Sequence, residues 1–192
     1  MNKYQEVVSK LKTKGIEFDS ALTLAEISSI EKAYNIIFPN ELKHLFDVGL
    51  PISKGFYNWR DMNVANVEDI KYMLTRPILG LQGDLEDDYK SSSSSYSGFW
   101  CDTWGEKPNS FKEAQEVLLK HYACAPLLVP VYSHRYIPFI PDSEEVPVFS
   151  IMGSDIVYYG ENLIAYLETE FKIRDYNNNM NCQYIDFWSD LL

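Results

Sequence analysis

The residues best suited to chemistry in this sequence are His134 and its neighbour Arg135. Histidine exchanges protons near neutral pH, and arginine binds carboxylates and phosphates through a planar fork of N–H donors. A hydrolase that used His134 would need a nucleophile beside it, such as the thiol of Cys124 or Cys101, and an orienting acid such as Asp155. The sequence must therefore be searched for a fold that brings these groups together.

A structural role for His134 and Arg135 is the simpler interpretation, because a polar pair at a turn commonly bonds a nearby carboxylate. Asp155 and Asp142 are the carboxylates expected to supply that contact. Cys124 lies in an Ala-Cys-Ala-Pro segment between a predicted helix and a predicted strand, a position typical of a small buried apolar residue. We therefore predict no catalytic residue and no enzymatic activity.

The spacing of the remaining ligand-type residues does not indicate a metal or cofactor site. His44, His121 and His134 show neither an HxH nor an HExxH pattern, so a metal site would have to be assembled by the fold. The acids from Asp84 to Asp88 lack the alternation and the closing glutamate of a calcium-binding loop, and a solvated loop explains them better. The sequence has no glycine-rich phosphate loop, and no cofactor is expected.

The net charge of −11 is distributed unevenly along the chain. Residues 1–76 hold ten Lys/Arg and ten Asp/Glu, so the whole imbalance arises in residues 77–192. Between Tyr136 and Phe171 there are seven acids and no Lys or Arg. A surface of this sign repels nucleic acid and anionic membranes and attracts a basic protein, although acidity also serves solubility alone.

Aromatic residues beside acids suggest a protein-binding surface. Trp100 and Trp104 flank Asp102 in an irregular segment, where they are either anchors for a partner or pins that hold the segment to the core. The residues that we expect to bind a partner are acids, these two tryptophans and the polar pair: Asp84, Glu86, Asp87, Asp88, Trp100, Trp104, His134, Arg135, Glu144 and Glu145.

Three helices are predicted before residue 50. The first spans Lys3–Lys14 and ends at Gly15. The second starts after Thr23, whose hydroxyl forms a capping box with Glu26, and the third has Pro39 in its first turn. The apolar spacing predicts that one face of each of the last two points to the core: Leu24, Ile27, Ile30 and Tyr34, then Leu42, Leu45 and Phe46.

The middle of the chain is predicted to be mostly irregular. A short helix spans Asn66–Leu74, and an exposed loop follows from Pro77, with an insertion at about 83–97 that holds the acids and a run of five serines. Ser110 with Glu113 forms another capping box and starts the next helix.

Four strands and a final helix pair are predicted in the last third. The strands are Leu127–Tyr132, Tyr136–Ile140, Val146–Met152 and Asp155–Tyr159. Gly153 and Ser154 join the last two strands as a type II′ hairpin. Asn162 caps a helix, and Tyr184–Leu192 forms a final short one.

This order of elements resembles the SUKH superfamily. The resemblance covers roughly Leu22–Phe171 and rests on the FP-x-x-L motif at Phe38–Leu42, the Gly49 stop and the strand Asp155–Gly160. It implies a single α+β domain spanning 1–192, with N-terminal helices packed on a mostly antiparallel twisted sheet. The insertion at about 83–97 and a helical C-terminal extension at 172–192 depart from the minimal pattern. The family brings no catalytic residues.

The superfamily includes the Smi/Knr-like regulators of cell-wall synthesis and many immunity proteins that neutralise polymorphic toxins. The resemblance and the acidity together predict an immunity protein that binds a basic toxin domain such as a nuclease. The alternatives are a regulatory scaffold of the Smi/Knr type and, less favoured, a small hydrolase using His134. Because residues 1–15 lack an apolar signal segment and three scattered cysteines suggest reduced thiols, we expect a cytoplasmic protein. We expect it to be a monomer or a weak homodimer.

Overall fold

The N-terminal third forms three helices and a small antiparallel strand pair. A computed structural model describes residues 2–91, 99–177 and 179–192 and shows an α+β fold. The elements of this third are α1 (Lys3–Thr13), β1 (Phe18–Asp19), α2 (Leu24–Tyr34), α3 (Asn40–Phe46) and β2 (Leu50–Pro51).

The predicted start of α2 is confirmed, but one of its core residues is wrong. Thr23 Oγ accepts the N–H of Glu26 at 3.2 Å, and the Glu26 carboxylate accepts the N–H of Thr23 at 2.8 Å. Ile27 is buried as predicted, whereas Leu24 is 86% exposed. Leu24 occupies the first helical position, where it lines an open pocket beside α3 instead of packing against it.

The region predicted to be a loop after Pro77 is helical. α4 runs from Val64 to Lys90, 27 residues, with Pro77 inside it. Ile70, Ile78, Leu81 and Leu85 are buried along one side at helical spacing. Burial of this stripe outweighs the hydrogen bond that proline removes and the mutual repulsion of the acids.

The predicted insertion at about 83–97 falls partly outside the residues that the structure describes. Its residues 83–90 belong to α4, so the loop prediction is wrong for them. Residues 92–98 lie outside the described residues. After this gap, α5 (Phe111–Tyr122) begins at Ser110 as predicted, with the Ser110 hydroxyl accepting the N–H of Glu113.

The central sheet has four antiparallel strands, as predicted, and they lie in sequential order. They are β3 (Leu128–Tyr132), β4 (Arg135–Pro138), β5 (Val148–Met152) and β6 (Asp155–Gly160). Gly153 has φ 61° and Ser154 keeps a negative φ, as a type II′ turn requires, so the predicted hairpin is confirmed.

The sheet lies between two layers of helix. On one face, Val129, Ile137 and Val148 belong to a cluster with residues of α1, α2, α3 and α6 (Leu163–Glu170). On the other face, Leu128, Tyr136 and Phe149 belong to a cluster with residues of α4 and α5. Alternate residues of each strand therefore serve two separate cores, which explains why these strands read as almost continuously apolar.

The C-terminal segment joins the two cores. We call residues 172–192 the C-terminal strap. Tyr176 packs near Tyr159 on the α6 side, with ring centroids 5.9 Å apart, while the Trp188 indole N–H donates to the Pro126 carbonyl at 2.8 Å on the α5 side. The predicted helix from Tyr184 is a single 3₁₀ turn at Ser189–Leu191.

Within the ranges that the structure describes, no helix combines the length and apolarity needed to cross a bilayer.

Candidate functional site

A groove separates α4 from the β5–β6 hairpin, and we call it the hairpin groove. Its volume is about 350 Å³. The lining residues come from one side of α4 and from the hairpin tip: Tyr72, Arg76, Pro77, Leu79, Gly80, Asp84, Ile151, Met152 and Gly153.

Two glycines set the closeness of the helix and the hairpin. A Cβ added to Gly80 would lie 2.9 Å from Gly153 Cα, a distance that would force the backbones apart. Gly153 also adopts the positive φ of the turn. The floor of the hairpin groove is therefore a glycine-to-glycine backbone contact.

Asp84 fastens the hairpin tip to α4. Its Oδ2 accepts the backbone N–H of Ser154 at 2.6 Å. Asp84 is one of the acids predicted to bind a partner, and this hydrogen bond occupies one of its two carboxylate oxygens. Asp84 is thus structural in the free protein, although it remains part of the groove wall.

Large apolar side chains stand exposed on both walls of the hairpin groove. Tyr72 and Leu79 on α4 are 58% and 50% exposed, and Met152 on the hairpin is 52% exposed. Single exposed apolar residues are ordinary on protein surfaces, but three around one groove make a patch of the kind that binds other proteins.

His134 lies in the turn between β3 and β4, close to charges of the groove. Its Nδ1 is 3.2 Å from the Ser133 hydroxyl. Partial burial, followed by the positive charges of Arg135 and Arg76, lowers the pKa of His134, and Asp155 opposes that shift. Burial and these two cations therefore favour the neutral form of His134.

Arg135 has a partner, but not the one predicted. Its guanidinium lies 3.9 Å from the centroid of the Tyr159 ring, donates to the Ser150 hydroxyl at 2.9 Å and places Nε 3.6 Å from Glu170 Oε2. The expected pairing with Asp155 or Asp142 is wrong, because the buried guanidinium points along the sheet face toward α6. Arg135 is a core residue.

The other acids of α4 differ in their contacts. Glu86 pairs with Lys90 at 2.7 Å, and Asp88, whose side chain is only 11% exposed, pairs with Lys107. Asp87 is exposed and has no ion-pair partner in residues 2–91, 99–177 or 179–192. Of the four predicted acids, Asp87 is the one most available to a partner.

The two tryptophans pin the irregular segment to the core. Trp104 is 8% exposed and stacks on Phe187 and His121 with centroid separations of 5.8 and 5.4 Å. Trp100 packs edge-on against Trp104 and donates its indole N–H to the Gly105 carbonyl at 2.8 Å. Trp104 is thus not an exposed anchor.

Glu144 and Glu145 lie at the opposite end of the sheet from the hairpin groove. They occupy the β4–β5 loop, with Glu144 Oε2 3.2 Å from His44 Nε2 and Glu145 Oε1 3.1 Å from Lys3 Nζ. β5 separates this loop from the hairpin by about 13 Å. The predicted acids therefore form two separate acidic regions.

The most buried carboxylate is not among the predicted site residues. Glu41 in α3 is 2% exposed, and its two oxygens accept the N–H groups of Val146 and Leu163, both at 3.1 Å. Burial raises the pKa of Glu41 to about 7, although these two hydrogen bonds oppose the shift. Glu41 thereby joins α3, the β4–β5 loop and the start of α6.

A second, larger cleft lies beside the end of α6. Its volume is about 690 Å³, and it is lined by Tyr159, Thr169, Glu170 and residues 172–176. Glu170 and Asp175 line it together with Lys172 and Arg174, so the charges are mixed. The exposed side chains of this cleft do not select one ligand chemistry.

Within the described residues, no thiol is placed in hydrogen-bond contact with His134. Cys124 is exposed before β3 and His134 follows β3, a strand about 13 Å long. The prediction that Cys124 is buried is wrong, because it follows the last turn of α5 outside the core. Cys101 contacts the Thr103 hydroxyl and the Asp190 carbonyl.

In the part of the chain that the structure describes, no group of three or more His, Cys, Asp or Glu side chains is placed to hold a metal ion.

Comparisons with models of protein families, with curated proteins and with solved structures each found no match. The resemblance to the SUKH superfamily therefore stays a prediction from the residues quoted above.

Proposed function

We propose that the protein is a non-enzymatic binding protein of the SUKH type that neutralises a basic toxin domain. The observation that carries this proposal is the location of charge, because the entire net charge of −11 lies in residues 77–192. These residues include the hairpin tip and the acidic β4–β5 loop. A basic protein would be drawn to them by long-range attraction.

The mechanism is occlusion. Surface carboxylates such as Asp87 would take the place of the toxin's anionic substrate, and exposed apolar side chains would supply the desolvated contacts that slow dissociation. Such a protein acts in the cytoplasm of the cell that makes the toxin. Its three cysteines are few, scattered and odd in number, which suits a reducing compartment.

Co-expression tests the proposal directly. The chain is produced with the basic secreted domains encoded beside its gene, and growth, complex formation and association rate are measured. We expect protection and a complex whose association rate falls steeply as salt is raised. Neither protection nor a complex with any of these domains would overturn the proposal, and a complex without protection would favour the scaffold alternative.

A further inference from the structure

The hairpin groove carries an inference about how the partner binds. The inference rests on the proposed function, because it concerns the docking surface for the basic protein. Three observations support it: exposed apolar walls, a preformed floor and unpaired carboxylates next to the groove.

The apolar side chains of the groove walls are unfavourable in the free protein because they remain exposed to water. Tyr72, Leu79 and Met152 each expose half or more of their surface around one narrow groove. Covering them would remove apolar area from water, with a gain of about 25 cal/mol per Å². The spacing of Tyr72 and Leu79, seven residues apart, places them two turns apart on the same side of α4.

The floor needs no rearrangement to receive a partner. Gly80 meets Gly153 at backbone contact, and Asp84 holds the N–H of Ser154. The separation of α4 and the hairpin is therefore fixed before binding. A partner would pay little ordering entropy on this side of the interface.

The charges select the partner. Asp155 lies opposite Met152 in the hairpin, is exposed and has no ion-pair partner among the described residues, and Asp87 lies one turn beyond Asp84. Among the described residues that line the groove, Arg76 is the one cation; it lies about 16 Å along α4 from Asp87 and interacts with the Tyr136 hydroxyl. Carboxylates without an ion-pair partner therefore lie next to the groove, at the hairpin tip and one turn past Asp84.

We propose that the hairpin groove binds an amphipathic basic segment of the partner protein. Its apolar side chains contact Tyr72, Leu79 and Met152, and its lysines or arginines lie beside Asp87 and Asp155. A second copy of this chain is disfavoured as the occupant, because it would bring the same acids to the same place.

A defined probe tests the groove without knowledge of the partner. Two synthetic 14-residue peptides share one helical pattern of leucines, with lysines at the polar positions in one and glutamates in the other. Binding to the ¹⁵N-labelled protein is followed by amide chemical shifts. We expect the lysine peptide to shift Leu79, Gly80, Met152 and Gly153, and the glutamate peptide to leave them unchanged.

Matched variants distinguish binding at the groove from non-specific binding elsewhere on the surface. Leu79→Lys should weaken binding of the lysine peptide by about tenfold or more, as expected for a central contact. Leu24→Lys is the control, because Leu24 is also exposed but lies on α2, in the other helical layer. Lysine is a good helix former, so both variants should fold.

Several results would overturn the inference. They are shifts that map elsewhere, equal binding by both peptides, or equal weakening by Leu79→Lys and Leu24→Lys. Concentration-dependent dimerisation that Leu79→Lys abolishes would assign the groove to a second copy instead.

The proposed docking surface and the proposed function can be refuted independently of each other. If a neighbouring toxin domain binds the wild-type chain and Leu79→Lys equally, the groove is wrong and the proposed function stands. If no such domain binds but the lysine peptide maps to the groove, the proposed function is wrong and the docking surface stands.

Discussion

Two carboxylates in this molecule have the same chemistry and opposite surroundings. Glu41 is buried where α3, the β4–β5 loop and α6 meet, and it accepts two backbone N–H groups. Asp87 is exposed near the end of α4, one turn beyond the groove residue Asp84. The comparison teaches that burial and the available N–H donors determine whether a carboxylate builds the fold or faces a partner.

Asp84 stands between these two extremes. It binds one backbone N–H at the hairpin tip and still lines an open groove. The three carboxylates therefore form a series, and substitutions along it should show a falling effect on stability and a rising effect on binding.

The largest effect is expected at Glu41. Glu41→Ala leaves the N–H groups of Val146 and Leu163 buried without acceptors, so the free energy of unfolding should fall by about 3–5 kcal/mol. Urea denaturation measures this change. Glu86→Ala is the control, because Glu86 is exposed on α4, and it should change the stability little. Equal losses in both variants would refute the distinction between buried and exposed acids.

The pH dependence of stability should reveal the raised pKa of Glu41, the buried carboxylate of this series. The pKa of Glu41 is raised to about 7 in the folded chain, so between about pH 4.5 and 7 the folded chain binds a proton that the unfolded chain releases. Raising the pH through this window should therefore cost stability, on the order of 3 kcal/mol from this group.

Glu41→Gln isolates this pH effect. The difference in unfolding free energy between the wild type and Glu41→Gln, measured from pH 4.5 to 8, should change by that amount and then level off. A constant difference across the range would show that Glu41 has an ordinary pKa in the folded chain.

A smaller effect is expected at Asp84. Asp84→Ala removes the acceptor of the Ser154 N–H, which is partly reached by water, so stability should fall by about 1–2 kcal/mol. Hydrogen exchange of the Ser154 amide should also quicken. Unchanged exchange at Ser154 together with unchanged stability would remove Asp84 from its structural role.

The smallest effect on stability is expected at Asp87. Asp87→Asn should leave the denaturation midpoint unchanged, because the side chain is exposed and unpaired among the described residues. With a basic partner it should slow association several-fold at low salt and have less effect at high salt. An unchanged association rate would move the interface away from the end of α4.

Local patterns in the sequence predicted much of the fold. Thr23 with Glu26 and the Gly153-Ser154 turn are short-range signals, since the atoms that bond are within three residues of each other. The acids of α4 misled the prediction, because the helix depends on burial of Leu81 and Leu85 against distant residues.

The site was less predictable because its contacts join residues far apart in sequence. Glu41 meets its donors more than 100 residues along the chain, and Arg135 meets Glu170 from another layer. Sequence reasoning named Asp84 and His134, which lie at or near the groove, but not the exposed Leu79 and Met152 beside them. A single sequence gives no signal that an apolar helix residue stays exposed.

The C-terminal strap has a consequence for synthesis on the ribosome. Phe187 and Trp188 fill the core between the sheet and α5, yet they follow every strand and every α-helix in the chain. The core between the sheet and α5 therefore cannot close until these two residues have left the exit tunnel. Until then the nascent chain exposes Trp104 and Tyr122, and these are surfaces that a ribosome-associated chaperone would meet.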